Sequence, residues 1–209
     1  MSLSPGYGET PVEGDELDAL LPRARAVLGE PVTKASVFDL EQAVQDEVAG
    51  ELISAVLEGN LALDDLLVDS FARDLHRRLY EDIWAWAGKF RRVELNIGVA
   101  PEQIAVELRS SIEGIRYRWI NTDDWTAREL ALAVHADVVR IHPFTDGNGR
   151  STRLWADLIL ACAPGSGPAE IFDWRLDKVR YIEILRRYDV HRDPTELAAF
   201  IGTQGIAQD

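Results

Sequence analysis

The sequence contains a single cysteine, Cys162, among 209 residues. No disulfide can form within the chain, which excludes a disulfide-stapled scaffold and makes a reducing compartment, the cytoplasm, the expected location. Cys162 lies in an apolar run and reads as a small core residue. Long apolar runs are missing too. Nothing approaches the ~18 residues of a membrane span, so no membrane association is expected. The opening MSLSPGYGETPVEGDEL has neither the basic start nor the apolar stretch of a signal peptide. Basic residues are outnumbered, with 22 Lys and Arg against 36 Asp and Glu and a net charge of -14. A surface built to hold DNA or RNA should be basic, so no nucleic-acid partner is expected. The acidity reads as a device for solubility or for steering a basic protein partner. Repeats and low-complexity tracts are also lacking, and self-association is left open.

The hydrophobic share of 46% is enough for one domain with a core of its own. Residues 1–15, rich in Gly, Pro and acid, are expected to be loose, and residues 1–35 to form an N-terminal extension. Helical periodicity then dominates. Val44, Val48, Leu52 and Val56 share a face of a helix from about Phe38 to Leu57, stopped by Gly59-Asn60. Phe71, Leu75, Leu79, Ile83 and Trp86 line a second helix, opening near Asp69 or Ser70 and ending at Gly88. A helix with Pro101 in its first turn buries Ile104, Leu108, Ile112, Ile115 and Trp119. Thr126 and Glu129 form a capping box for a helix that ends near Ile141. Another helix follows Gly147 and stops at Pro164-Gly165; two shorter ones, near 175–189 and 194–202, close the chain. The stretch from Phe90 to Val99 has no helical period and reads as a short β-hairpin or extended flap. The predicted class is all-α with one small hairpin: a domain over 36–203 and a tail over 204–209.

The chemistry concentrates in His142-Pro-Phe-Thr-Asp146-Gly-Asn-Gly-Arg150-Ser-Thr-Arg153, between two amphipathic helices. Gly147, Asn148 and Gly149 can bring successive backbone N–H groups together. They lead into a helix N-terminus, which favours an anion. Arg150 and Arg153, three apart, can reach the same anion. Asp146 offers a hard oxygen suited to Mg²⁺ beside phosphates. His142, read as the only histidine beside the loop, can accept a proton near neutral pH. Each residue has a plain structural reading: a helix cap, a helix-end histidine, a turn, a solvated face. Together they make the parts of a phosphoryl- or nucleotidyl-transfer site.

The run fills every specified position of the Fic signature, His-x-Phe-x-(Asp or Glu)-Gly-Asn-Gly-Arg-x-x-Arg. The resemblance extends from about Phe71, through FARDLHRRLYEDIWAWAGKFRR, to Tyr188, and the whole is similar to the bacterial Fic proteins called mobile mystery protein B. It implies a Fic fold and transfer of AMP from Mg-ATP to a Ser, Thr or Tyr hydroxyl of a target protein. It implies His142 as general base, Asp146 as Mg²⁺ ligand, and Gly147, Asn148 (its side chain included) and Gly149 as anion nest. Arg150 and Arg153 become grips on the β- and γ-phosphates, and Phe144 the loop's anchor. Residues 91–100 become the flap on which the target docks, and Tyr181 and Tyr188 the lining of the adenine pocket.

Ser54-Ala-Val-Leu-Glu58-Gly59-Asn60, within a candidate inhibitory helix over 38–59, matches the family's (Ser or Thr)-x-x-x-Glu-(Gly or Asn) inhibitory pattern. It implies a brake in which Glu58 pairs with Arg153. Its plain reading is a surface glutamate before a C-capping glycine. Four other functions stay open: kinase activity, as in the Doc relatives that have Lys where this chain has Gly149; transfer of another phosphate-containing group; AMP removal with Glu58 positioning water; and a silent interaction module.

Overall fold

A computed structural model describes residues 14–163 and 168–206. Most of the N-terminal stretch read as loose and the expected stop at Pro164-Gly165 lie outside the described residues. Those described form α1 (Gly14–Ala19), α2 (Pro22–Leu28), α3 (Lys34–Leu57), α4 (Leu63–Leu66), α5 (Asp69–Tyr80), α6 (Ile104–Asn121), α7 (Ala127–Ile141), α8 (Asn148–Cys162), β1 (Glu170–Phe172), α9 (Lys178–His191), α10 (Thr195–Phe200) and β2 (Thr203–Gly205). A 3₁₀ turn, Pro101–Gln103, leads into α6. The all-α reading holds.

α8 is the axis of the molecule. It packs along α7 and also against α3, α4, α5 and β1. Its Trp155, Ala156, Leu158 and Ile159 are buried, as is every residue of α7 from Leu130 to Val138. A helix apolar on nearly all sides belongs in a core. Trp155 satisfies its indole by donating to the Leu66 carbonyl at 3.0 Å. The Thr126–Glu129 capping box forms: Oγ1 accepts from the Glu129 N–H at 3.2 Å, and Glu129 accepts from the Thr126 N–H at 2.8 Å. Such a cap is worth about 1 kcal/mol. It fixes the start of α7, and the length of α7 fixes where His142 emerges.

Three elements differ from expectation. α5 stops at Tyr80, and Trp86 lies in a series of turns rather than on a helical stripe. Backbone groups from the α1–α2 junction explain this. Leu21 N–H donates to Ile83 O and Ala85 N–H to Ala19 O, both at 2.9 Å, so this tertiary pairing takes bonds a longer helix would use. The flap lies beside the loop as expected, but among the described residues it forms no strand ladder. Its ends are tied to the loop instead: Arg91 N–H donates to Pro143 O at 2.9 Å and Val99 N–H to Ile141 O at 3.2 Å. The described two-stranded sheet lies elsewhere, pairing Ile171 with Gln204 in antiparallel register. β2 thus straddles the expected boundary, with Thr203 in the domain and Gln204 and Gly205 in the stretch read as a tail.

Candidate active site

His142 ends α7 in the left-handed region, φ 52°, and turns the chain into the loop. Phe144, buried, drives the loop into the core. Asn148 closes it, its Oδ1 accepting from the Phe144 N–H at 2.9 Å and its Nδ2 donating to the Phe144 carbonyl at 2.8 Å. The amide thus ties both ends of the Phe144 residue into the loop and keeps a second Nδ2 hydrogen unspent among the described residues. Asn148 serves as the loop's clasp, and its backbone N–H lies in the first turn of α8. Gly147 has φ +74°, and a Cβ there would lie 2.6 Å from the Tyr80 ring. Only glycine fits. A Cβ at Gly149, by contrast, would meet nothing nearer than Arg153 Nη2 at 3.7 Å. The first-turn N–H groups of α8 have no helical carbonyl to bond and stand ready for an anion.

The buried residue Arg91 was missed by sequence reasoning. Its guanidinium donates to the His142 carbonyl at 2.7 Å, to Val93 O at 3.0 Å and to Val99 O. It thus locks both flap ends to the proposed base. Burial holds the half-buried His142 below the ordinary imidazole value of 6.5, and the Arg91 charge adds to this. The ring is neutral, as a proton acceptor must be.

The two motif arginines have different surroundings. Arg153 is exposed, in no ion pair among the described residues, and lies 5.9 Å from the centre of the Trp174 ring. Arg150 turns away to Glu41 of α3, a buried carboxylate that also accepts from Trp84 Nε1 at 2.7 Å. Nothing near Glu41 in the sequence signals this contact. The Asp146 side chain is 70% exposed, 3.5 Å from Arg150, with Oδ1 accepting from the Gly147 N–H at 2.6 Å. Among the described residues no group of three or more His, Cys, Asp or Glu could cage a metal. One exposed carboxylate beside free N–H groups suits an ion held mainly by phosphate oxygens, as Mg²⁺ commonly is.

His142, Asn148, Gly149, Arg153 and Tyr181 line one cavity of about 1020 Å³, roofed by Asn96, Ile97 and Gly98 of the flap and walled by Trp174 and Leu176. Asp146 and Arg150 flank it. Tyr181 meets buried His135 at 2.6 Å, and burial pushes its hydroxyl up to about 12. Tyr188 does not line the cavity. It is buried, donates to Ala133 O at 3.3 Å, and packs the core, which corrects its expected place. Trp174 was not singled out in the sequence; its indole donates to Asp157 at 3.0 Å.

Residues 67–160 match the model of the Fic/DOC family. Over this stretch the chain is similar to that family. It is 29% identical over 168 residues to the protein adenylyltransferase fic-1 of Caenorhabditis briggsae, covering 74% of this chain and 31% of that protein. It is 25% identical over 196 residues to the protein adenylyltransferase Fic of Nematostella vectensis, covering 88% and 43%. The chain thus spans about a third of the length of the first of these relatives. The N-terminal Fic domain of a Bep effector from Bartonella quintana superposes with a TM-score of 0.62 at 16% identity, over 83% of this chain and 86% of that one. BepC from Bartonella tribocorum, solved with bound AMPPNP, gives 0.59 at 15% identity, over 82% and 89%. These two likenesses establish the fold.

Within this fold, Glu58 does not occupy the expected place. It is exposed, follows the last residue of α3, and accepts from Asn60 Nδ2 at 2.9 Å. Gly59, at φ +75°, turns the chain away immediately afterwards. Among the described residues no ion pair joins Glu58 to Arg153, so the pairing read from Ser54, Glu58 and Gly59 is corrected. The α3 carboxylate that reaches a motif arginine is Glu41, and it reaches Arg150.

Proposed function

We infer that this chain is a Fic domain with protein adenylyltransferase activity, moving AMP from Mg-ATP to a hydroxyl of a target protein. One observation carries the reading: neutral His142 shares a cavity with the free N-terminus of α8 and with unpaired Arg153. His142 takes the proton of the incoming hydroxyl, whose oxygen attacks the α-phosphorus as pyrophosphate departs. The α8 N–H groups and Arg153 face the charge on the phosphates. A Mg²⁺ ion bound at Asp146 would neutralise phosphate charge. Asp146→Ala should end the dependence on Mg²⁺ while melting within about 1 kcal/mol of wild type. The open space at Gly149 leaves room for a β-phosphate and favours AMP transfer over the kinase reading.

The target's place is the flap. Val93 and Ile97 are 71% and 53% exposed, and Arg91 holds the segment open at both ends. An extended target segment could add to it through main-chain bonds. The lone, half-buried thiol of Cys162 agrees with a cytoplasmic setting. Incubation with Mg²⁺, a bacterial lysate and ATP labelled at either the α- or the γ-phosphate tests the reading. Protein-bound label from α-labelled ATP alone supports it; label from the γ-position alone sinks it in favour of a kinase.

A further inference from the structure

His142 is not the only histidine at the loop. His76 lies on α5, fully buried, and takes no part in the steps above. Its ring stacks on Phe144, centroids 3.7 Å apart and planes 13° from parallel. Both ring nitrogens are engaged. The Gly88 N–H donates to Nδ1 at 3.0 Å, and Nε2 lies 3.0 Å from the carbonyl oxygen of Asp146. These bonds fix the tautomer. An amide N–H needs a lone pair, so Nδ1 carries no proton; the ring hydrogen sits on Nε2 and is donated to Asp146. Gly88 reaches this position at φ +69°, where a Cβ would come 2.8 Å from Arg77 Cβ.

The Asp146 carbonyl and the Gly147 N–H belong to one rigid peptide plane. That N–H donates to the Asp146 carboxylate at 2.6 Å. A continuous chain therefore runs from Gly88 N–H through His76, across the peptide, to the carboxylate. The Tyr80 ring lies close to Gly147, where an added Cβ would come within 2.6 Å of it, so the residue after the peptide has little room to shift.

We propose that His76 is a positioning residue, which sets the 146–147 peptide and thereby aims both the Asp146 carboxylate and the first N–H groups of the anion loop. The proposal rests on the reading of that loop as the phosphate site. Its content is a single donor: Nε2–H to Asp146 O.

Two substitutions separate the donor from the packing. His76→Gln puts an amide nitrogen where Nε2 lies and keeps the donor. His76→Asn keeps an acceptor for Gly88 and loses the donor. Both lose the ring stacked on Phe144, so their melting temperatures should fall alike. His76→Gln should retain kcat within about tenfold of wild type, whereas His76→Asn should lose ~100-fold, the scale of a displaced reacting group. Amide hydrogen exchange at Gly147 and Asn148 should be near wild type in the Gln variant and about tenfold faster in the Asn variant. That measurement needs no turnover, so it stands even if the protein transfers no AMP. Equal kcat and equal exchange in the two folded variants would reduce His76 to packing. If neither variant folds, ¹⁵N NMR of the wild-type imidazole decides: protonated Nε2 with bare Nδ1 supports the proposal, and protonated Nδ1 overturns it.

Discussion

Arg150 and Arg153 stand on the same turn of α8, yet one is held by a buried carboxylate and the other is exposed over a cavity. A motif treats them as a pair; the structure divides their work. Glu41 makes the difference. It cannot be left buried and unpaired, so Arg150 serves the fold before it serves any ligand. Arg153 has no such debt and faces the cavity with its charge unmatched.

The largest expected effect calibrates the comparison. His142→Ala removes the proton acceptor between the two arginines' loop and the flap; transfer should fall by ~10²–10⁴ with ATP affinity and melting temperature nearly unchanged. Wild-type-like turnover by the folded variant would remove His142 from its role. Because His142 titrates below its ordinary 6.5, the neutral base persists as pH falls to that value. In wild type the acid limb of kcat/KM should therefore lie below pH 6.5, and a limb above it would contradict the burial argument.

Arg150→Ala comes next. It strands the Glu41 carboxylate, so denaturant unfolding should show a loss of about 3–5 kcal/mol. Adding Glu41→Leu should return part of that loss, and a double variant no more stable than Arg150→Ala would mean that the stranded carboxylate is not its cause. Arg153→Ala should do the reverse, lowering ATP affinity by roughly 10–100-fold through one lost charge-assisted contact while leaving the unfolding midpoint in place. Matching stability losses in the two variants would erase the distinction. The smallest effect belongs to Glu58→Gly. A solvent-exposed carboxylate bonded to Asn60 restrains neither arginine, so self-labelling with α-labelled ATP should match wild type within about twofold, and stability should drop by less than about 1 kcal/mol. A large gain in labelling would reinstate Glu58 as a brake.

The loop was legible because its information is local. Glycine spacing, a helix start and two arginines three apart are all readable within twelve residues. The main helices were legible for the same reason, since periodicity and the Thr126–Glu129 cap are short-range. What escaped depends on distance along the chain. Glu41 and Arg150 are 109 positions apart, and nothing around Glu41 separates it from the other acids of α3. Arg91 could be read only as one basic residue in a basic stretch until its three carbonyl partners were placed. Tyr181 and Tyr188 share a helical face, but α9 meets the cavity at one and the core at the other. Trp86 continued a plausible stripe, and only the backbone of residues 19–21 shows why the helix ends before it. The strands of three residues are too short for alternation to register.

The small sheet has a mechanical consequence. β2 fastens β1 along its length, with Asp173 N–H donating to Gly202 O at 2.8 Å just beyond the paired residues. The next side chain is Trp174, the wall of the cavity. The last strand therefore acts as a hem on that wall: undoing it would leave Trp174 attached at one side only. Loosening that strand should therefore loosen the wall, although none of its residues lines the cavity.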